Sequence, residues 1–75
     1  MKRPNYFSGQ KVILTTYARG LHEGQELTII SHSNDDEYEC SYIKGNETFY
    51  ENFFEDEFRL KTKYDELNEN EKSSD

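Results

Sequence analysis

The pattern of apolar and polar positions favours strands over helices along most of this chain. Residues 11–17 form a β-branched and apolar run between Gly9 and Gly20, too short for a typical helix. Residues 25–32 alternate Leu27, Ile29 and Ser31 against Glu26, Thr28 and Ile30, and residues 37–43 alternate Tyr38, Cys40 and Tyr42 against Glu37, Glu39 and Ser41. A period of two sends alternate side chains to opposite faces of a sheet. The link between the first two runs has glycines at both ends and reads as a partly ordered loop. Ser33, Asn34, Asp35 and Asp36 form a turn cluster.

Gly45-Asn46 is a two-residue hairpin signal of the kind that needs positive φ. Folding the chain about it sets Ile43 opposite Thr48, Tyr42 opposite Phe49 and Ser41 opposite Tyr50. Tyr42 and Phe49 then become an aromatic pair on the core face, worth a few tenths to about 1 kcal/mol. Residues 47–60 are ambiguous. Phe49, Tyr50, Phe53, Phe54 and Phe58 also fit one face of a helix, and Thr48 with Glu51 matches a capping box. The hairpin signal decides for a strand over 47–51, a tight turn over 52–57 and a short strand over 58–61, because a helix from Thr48 would deprive the third strand of a partner close in sequence.

The resulting layout is mainly β: five short strands, a long first loop and a 3-10 or helical turn near residues 52–57 before the last strand. It resembles the SH3-like small barrels, an architecture that includes KOW and Tudor-like domains and short bacterial or phage modules. The residues carrying the likeness are Gly9-Gln10-Lys11-Val12 and Gly24-Gln25-Glu26-Leu27, which open the first two strands, and the stretch from Tyr42 to Leu60. The resemblance implies a five-stranded barrel over residues 6–61. Residues 1–5 form a basic arm that Pro4 holds extended, and residues 62–75 form an acidic flexible tail with too few apolar groups to offset its ordering entropy.

Composition narrows the class of function. Seventy-five residues make one domain near the lower limit for a single core, and apolar residues are only 32% of the chain. Six Tyr and five Phe compensate with a thin aromatic core. The net charge is −7, divided unevenly: residues 1–22 hold Lys2, Arg3, Lys11 and Arg19 and no acid, for +4, and the remainder carries −11. Such a chain is not a nonspecific nucleic-acid binder as a whole. No apolar run approaches the roughly 20 residues of a membrane span, and no signal-peptide pattern follows Met1, so a cytoplasmic location is expected. The single cysteine, Cys40, sits on the inward parity of its strand with no local cation to activate it.

Two acidic clusters stand out. Asp35, Asp36, Glu37 and Glu39 form the first, and Glu47, Glu51, Glu55, Asp56 and Glu57 the second. Carboxylates at i and i+2 of a strand lie roughly 6.6–6.8 Å apart on one face, a spacing comparable with neighbouring phosphates. A rigid array of that kind can satisfy the Lys and Arg residues of a DNA-binding protein. A solvated acidic face that keeps a small aromatic protein in solution has the same composition. The aromatics interleaved with acid, Tyr38, Tyr50, Phe53 and Phe54, point toward an interaction face.

Enzymatic chemistry has no foothold. Asp35-Asp36-Glu37 lacks the spacing of a calcium loop, and His22 and His32 match no zinc site and read as loop histidines. There is no nucleophile motif or Gly-rich phosphate loop, so no cofactor, metal or catalytic residue is expected. The expected function is macromolecular binding, as a DNA-mimic decoy that occupies the DNA-binding surface of a basic host protein without binding DNA itself. In class it resembles phage host-takeover inhibitors, with an HU-type nucleoid protein or RNA polymerase as the partner. Asp35, Asp36, Glu37, Glu39, Glu51, Glu55, Asp56 and Glu57 are the candidate contact residues. The alternative is a KOW-like module that binds RNA or a transcription or translation complex through Lys2, Arg3, Lys11 and Arg19. Lys44, Arg59, Lys61 and Lys63 read as neighbours that neutralise part of the acid.

Overall fold

A computed structural model describes residues 4–65. Five strands are present: β1 (Lys11–Leu14), β2 (Glu26–Asn34), β3 (Glu37–Lys44), β4 (Glu47–Phe54) and β5 (Phe58–Leu60), with a 3-10 turn at Glu55–Glu57 between the last two. They form one antiparallel sheet in the order β4-β3-β2-β1-β5. The fold is therefore mainly β, as its alternation predicts. Among the described residues no helix is long and apolar enough to cross a membrane.

The hairpin about Gly45-Asn46 has the predicted register, with Ile43 opposite Thr48, Tyr42 opposite Phe49 and Ser41 opposite Tyr50. Gly45 takes the left-handed φ of +66° that the turn requires, and Asn46 does not share it. This suits a turn with glycine at the first central position. Tyr42 and Phe49 stack with ring centroids 5.6 Å apart. Only Tyr42 is core, however: Phe49 keeps 38% of its surface exposed because β4 is an edge strand, with no strand beyond it among the described residues to cover that ring.

Other boundaries depart from the sequence reading. β1 stops at Leu14 instead of Tyr17; the Thr15 N–H makes one more bond, to the Glu57 carbonyl at 2.8 Å, before the chain turns away, and Tyr17 is exposed. β4 continues to Phe54 instead of ending at Glu51, and the turn contracts to Glu55–Glu57. The cause is pairing: Tyr38 opposite Phe53 and Glu37 opposite Phe54 extend the ladder to the end of β3. Thr48 and Glu51 lie in this strand and form no capping box. The reciprocal arrangement occurs instead at Thr62 and Asp65, where the Thr62 N–H donates to Asp65 Oδ2 at 2.8 Å and the Asp65 N–H donates to Thr62 Oγ1 at 3.4 Å. These bonds open a helical turn at residues 63–65. His32 lies in β2, not in a loop, with its ring 4.9 Å from that of Tyr38. Ile30 and Ser33 are the extra residues of two bulges in β2, so that His32 faces Tyr38 while Leu27 and Ile29 keep the inward parity. Of the arm expected over residues 1–5 and the flexible tail expected over residues 62–75, residues 1–3 and 66–75 lie outside the described residues; within them, Asn5 bonds Tyr38 and Glu55, and Asp65 bonds Arg59 and Thr62.

The core gathers Val12, Leu14, Ala18, Leu21, Leu27, Ile29, Tyr38, Cys40, Tyr42, Phe53 and Phe58, with Tyr6 packed against it. Tyr38 and Phe53 are wholly buried and are its largest members. Full burial of a side chain of Phe size is worth about 1.5–3 kcal/mol, so these two rings carry much of a thin core. The β1–β2 loop contributes Ala18 and Leu21, which exchange N–H···O=C bonds of 3.0 and 2.8 Å across a turn at Arg19-Gly20. Both turn residues have positive φ (+51° and +81°), which type I′ geometry demands. That turn aims Arg19 at the far end of β4.

Candidate macromolecule-binding surface

The hairpin ladder brings the β2–β3 turn and the 3-10 turn together, because the Glu55 N–H donates to the Asp36 carbonyl at 2.6 Å. Asp36, Glu55, Asp56 and Glu57 thereby come to one end of the molecule, although nineteen positions separate the first two in sequence. With Tyr6 and Phe54 they line an open groove of about 580 Å³.

Two of these carboxylates are held from several sides. Glu55 accepts the Asn5 side-chain amide at 2.6 Å on one oxygen and the Tyr38 hydroxyl at 3.3 Å on the other. Glu57 Oε1 accepts both the Phe54 N–H and Arg19 Nη1 at 2.8 Å. Arg19 also lies over the Phe53 ring, 4.7 Å from its centroid, and 5.7 Å from that of Phe54. A carboxylate offers about four acceptor positions, so both groups keep capacity for an external donor.

Of the remaining candidates, Glu37 and Glu39 have the outward parity of β3, on the face of Ser41 and away from Tyr38 and Cys40. Ser31 Oγ reaches Glu39 at 3.4 Å. Asp35 stands in the β2–β3 turn beside Asp36, its carbonyl 3.2 Å from His32 Nε2. Glu51 is separated from all of these. It pairs with Cys40 and so shares the inward parity, on the opposite side of the edge strand from Glu37 and Glu39. Glu47 faces Lys44 at the hairpin turn.

The basic candidates are engaged elsewhere. Lys11 Nζ donates to Thr28 Oγ1 at 2.9 Å, Arg19 pairs with Glu57, Lys61 pairs with Glu26 at 2.7 Å, and Arg59 forms a two-pronged pair with Asp65 at 2.9 and 3.0 Å. Lys61 and Arg59 thus neutralise acids outside the two clusters. Lys2 and Arg3 lie outside the described residues.

The interleaved aromatics divide by parity. Tyr38 and Phe53 are core, whereas Tyr50, opposite Ser41, and Phe54, opposite Glu37, are exposed on the outer face of β4. The sequence reading missed Asn5 and the Tyr38 hydroxyl, which receives the Asn5 N–H at 2.9 Å and ties the chain before β1 to the acidic end. No short-range signal connects them; a buried tyrosine that needs a partner for its hydroxyl is the only hint.

Cys40 is held as a neutral thiol. Burial pushes the Cys40 thiol up to about 12, with the neighbouring Glu39 charge adding to it and Arg19 opposing it. Tyr6 is raised as well, by burial and then by Glu55. Among the described residues, no three His, Cys, Asp or Glu side chains come together as a metal site would require. No family model matches the chain, and no curated protein or solved structure matches it significantly.

Proposed function

We propose that this chain is a small acidic binding module of the SH3-like class, a DNA-mimic decoy that occupies the DNA-binding surface of a basic protein. An HU-type nucleoid protein or RNA polymerase is the kind of target meant, as for phage host-takeover inhibitors. The strand order β4-β3-β2-β1-β5, the long β1–β2 loop and the 3-10 turn before β5 support the SH3-like likeness. Fold does not set function, so the functional reading rests on the surface.

The observation that carries it is the convergence of Asp36, Glu55, Asp56 and Glu57 at one end, next in sequence to Glu37 and Glu39 on the outer face of β3. Glu55 and Glu57 are fixed by hydrogen bonds before any partner arrives, which lowers the ordering cost of association. The alternative, a KOW-like module reading RNA through its basic residues, loses support because the Arg19 charge is paired with Glu57.

The test is gel competition and calorimetry with a purified HU-type protein and duplex DNA. A variant with Asp35→Asn, Glu37→Gln, Glu39→Gln and Asp56→Asn leaves the structural roles of Glu55 and Glu57 in place. Removing several charges together is expected to weaken binding about tenfold to a thousandfold, mainly through the association rate. Replacing Lys2 and Arg3 with Ala is expected to leave binding unchanged or stronger. Wild-type protein that shifts DNA by itself, or competition unaffected by the four substitutions, overturns the decoy reading.

A further inference from the structure

The two edges of the sheet are unlike. β5 has three residues, and its exposed Arg59 is clamped by Asp65. β4 has eight, all exposed except Phe53, and runs without proline, lysine or bulge. Natural sheets blunt such an edge with those devices or with charge, and the charge this edge carries is acidic, Glu47 and Glu51.

The ladder shows which main-chain groups this edge presents. In an antiparallel pair, residues alternate between pairs that exchange hydrogen bonds and pairs whose N–H and C=O groups point away from each other. The Glu55 N–H bonds the Asp36 carbonyl, and Lys44 with Glu47 closes a two-residue turn. Both facts make the bonded pairs those of Glu47, Phe49, Glu51 and Phe53. The main chain of Thr48, Tyr50, Asn52 and Phe54 is then turned outward. Glu57 confirms the phase, since its carboxylate accepts the outward Phe54 N–H. Among the described residues, no strand pairs with β4 on that side.

We infer that the Thr48–Asn52 edge is a strand-addition site for an extended cationic segment of a partner protein, in which basic residues alternate with apolar ones. The specificity follows from parity. Residues of the incoming strand opposite Thr48, Tyr50 and Asn52 share the outer face with the exposed Tyr50 ring and receive apolar contact. Residues between them share the face of Glu47, Phe49 and Glu51, where two carboxylates and an exposed ring favour Arg or Lys. A second copy of this chain is the wrong occupant: it would place both strands' Glu47 and Glu51 on one face of the shared sheet, between chains of charge −7. The inference draws on the proposed preference for a basic partner, but it uses a surface other than the acidic groove.

The experiment uses the full chain, labelled with nitrogen-15, and an acetylated, amidated seven-residue peptide that alternates arginine and valine with arginine at both ends. A second peptide replaces the central valine with proline, which keeps every charge but removes one N–H needed by the ladder. The expected result is chemical-shift change concentrated at residues 47–54, slowed exchange of the Thr48, Tyr50 and Asn52 amides, and at least tenfold weaker binding of the proline peptide. Glu51→Lys should weaken the valine peptide severalfold or more. Equal binding of the two peptides overturns the strand-addition site, as does no binding, or shift changes centred on Asp36 and residues 55–57. The last outcome removes the edge while leaving the acidic-end reading intact, and loss of HU-type competition with retained β4 shifts does the reverse.

Discussion

The hydroxyl of Tyr38, near the start of β3, accepts the backbone N–H of Asn5 at 2.9 Å while its ring is wholly buried. The same oxygen donates to Glu55 at 3.3 Å, so one buried phenol joins the segment before β1, the core and the acidic end. Tyr6 locks the arrangement by packing edge-on against both Tyr38 and Phe58, with centroids 5.5 and 5.0 Å away.

Tyr38→Phe keeps the ring and removes that link. The expected cost is about 1–2 kcal/mol, from two hydrogen bonds of which one involves a carboxylate. Urea denaturation measures the loss, and hydrogen exchange should show the Asn5 amide opening while β1–β3 amides keep their protection. Unchanged exchange at Asn5 would show that Tyr6 packing alone holds the segment.

Gly45→Ala tests the hairpin turn. No atom lies within 4 Å of where a Cβ would stand, so the penalty is one of backbone conformation at φ +66°. About 1–2 kcal/mol is expected for a left-handed alanine. Gly45→Asn should lose less, because asparagine tolerates that region. Thermal unfolding of the pair supplies the comparison.

Cys40 makes stability depend on alkaline pH. Its thiol is raised from 9.0 to about 12 in the folded chain, chiefly by burial. The unfolded thiol therefore loses its proton first. The contribution is full below pH 9 and is lost progressively as pH rises from there through about 12. Wild type should lose stability more steeply between pH 8.5 and 10.5 than Cys40→Ala, by urea titration at about five pH values. Native Cys40 should also resist alkylation at pH 8 and react promptly in denaturant.

Asp65 behaves in the opposite sense. The Arg59 guanidinium and the Thr62 N–H hold its carboxyl well below the ordinary 3.8. Its contribution is present above 3.8 and disappears only as pH falls well below that value. In an acid titration by NMR, the Asp65 carboxyl and Thr62 amide should be the last of the acidic set to respond. Arg59→Ala should return Asp65 toward ordinary behaviour and release the Thr62 amide, with little effect on the core because the pair is at the surface.

Local signals were enough for the elements whose hydrogen bonds close over short distances. The hairpin about Gly45-Asn46 was legible residue by residue, since a glycine between two alternating runs determines its own register. The alternation of Tyr38, Cys40 and Tyr42 likewise determined which side of β3 is buried. Where each strand stops was a tertiary decision. β4 runs on through Asn52, Phe53 and Phe54 because β3 continues to offer partners, and β1 ends at Leu14 although residues 15–17 have strand propensity. The bulges at Ile30 and Ser33 that turn His32 toward Tyr38 have no marker in local sequence.

The candidate surface divides in the same way. That Asp35, Asp36, Glu37 and Glu39 form one acidic run, and Glu55, Asp56 and Glu57 another, is a matter of sequence alone. Their meeting through the Glu55 N–H and Asp36 carbonyl is not, because it requires the whole β3–β4 ladder to be in register. The strand's period of two also placed Glu51 on the other face, an assignment that spacing along the chain cannot make until the strand is known to extend past it. Composition established an acidic protein with an aromatic core. Only long-range pairing settled which carboxylates stand together, which are held by Asn5, Tyr38 and Arg19, and which strand is left at the edge, since each of those contacts joins residues seventeen or more positions apart or depends on a ladder that does.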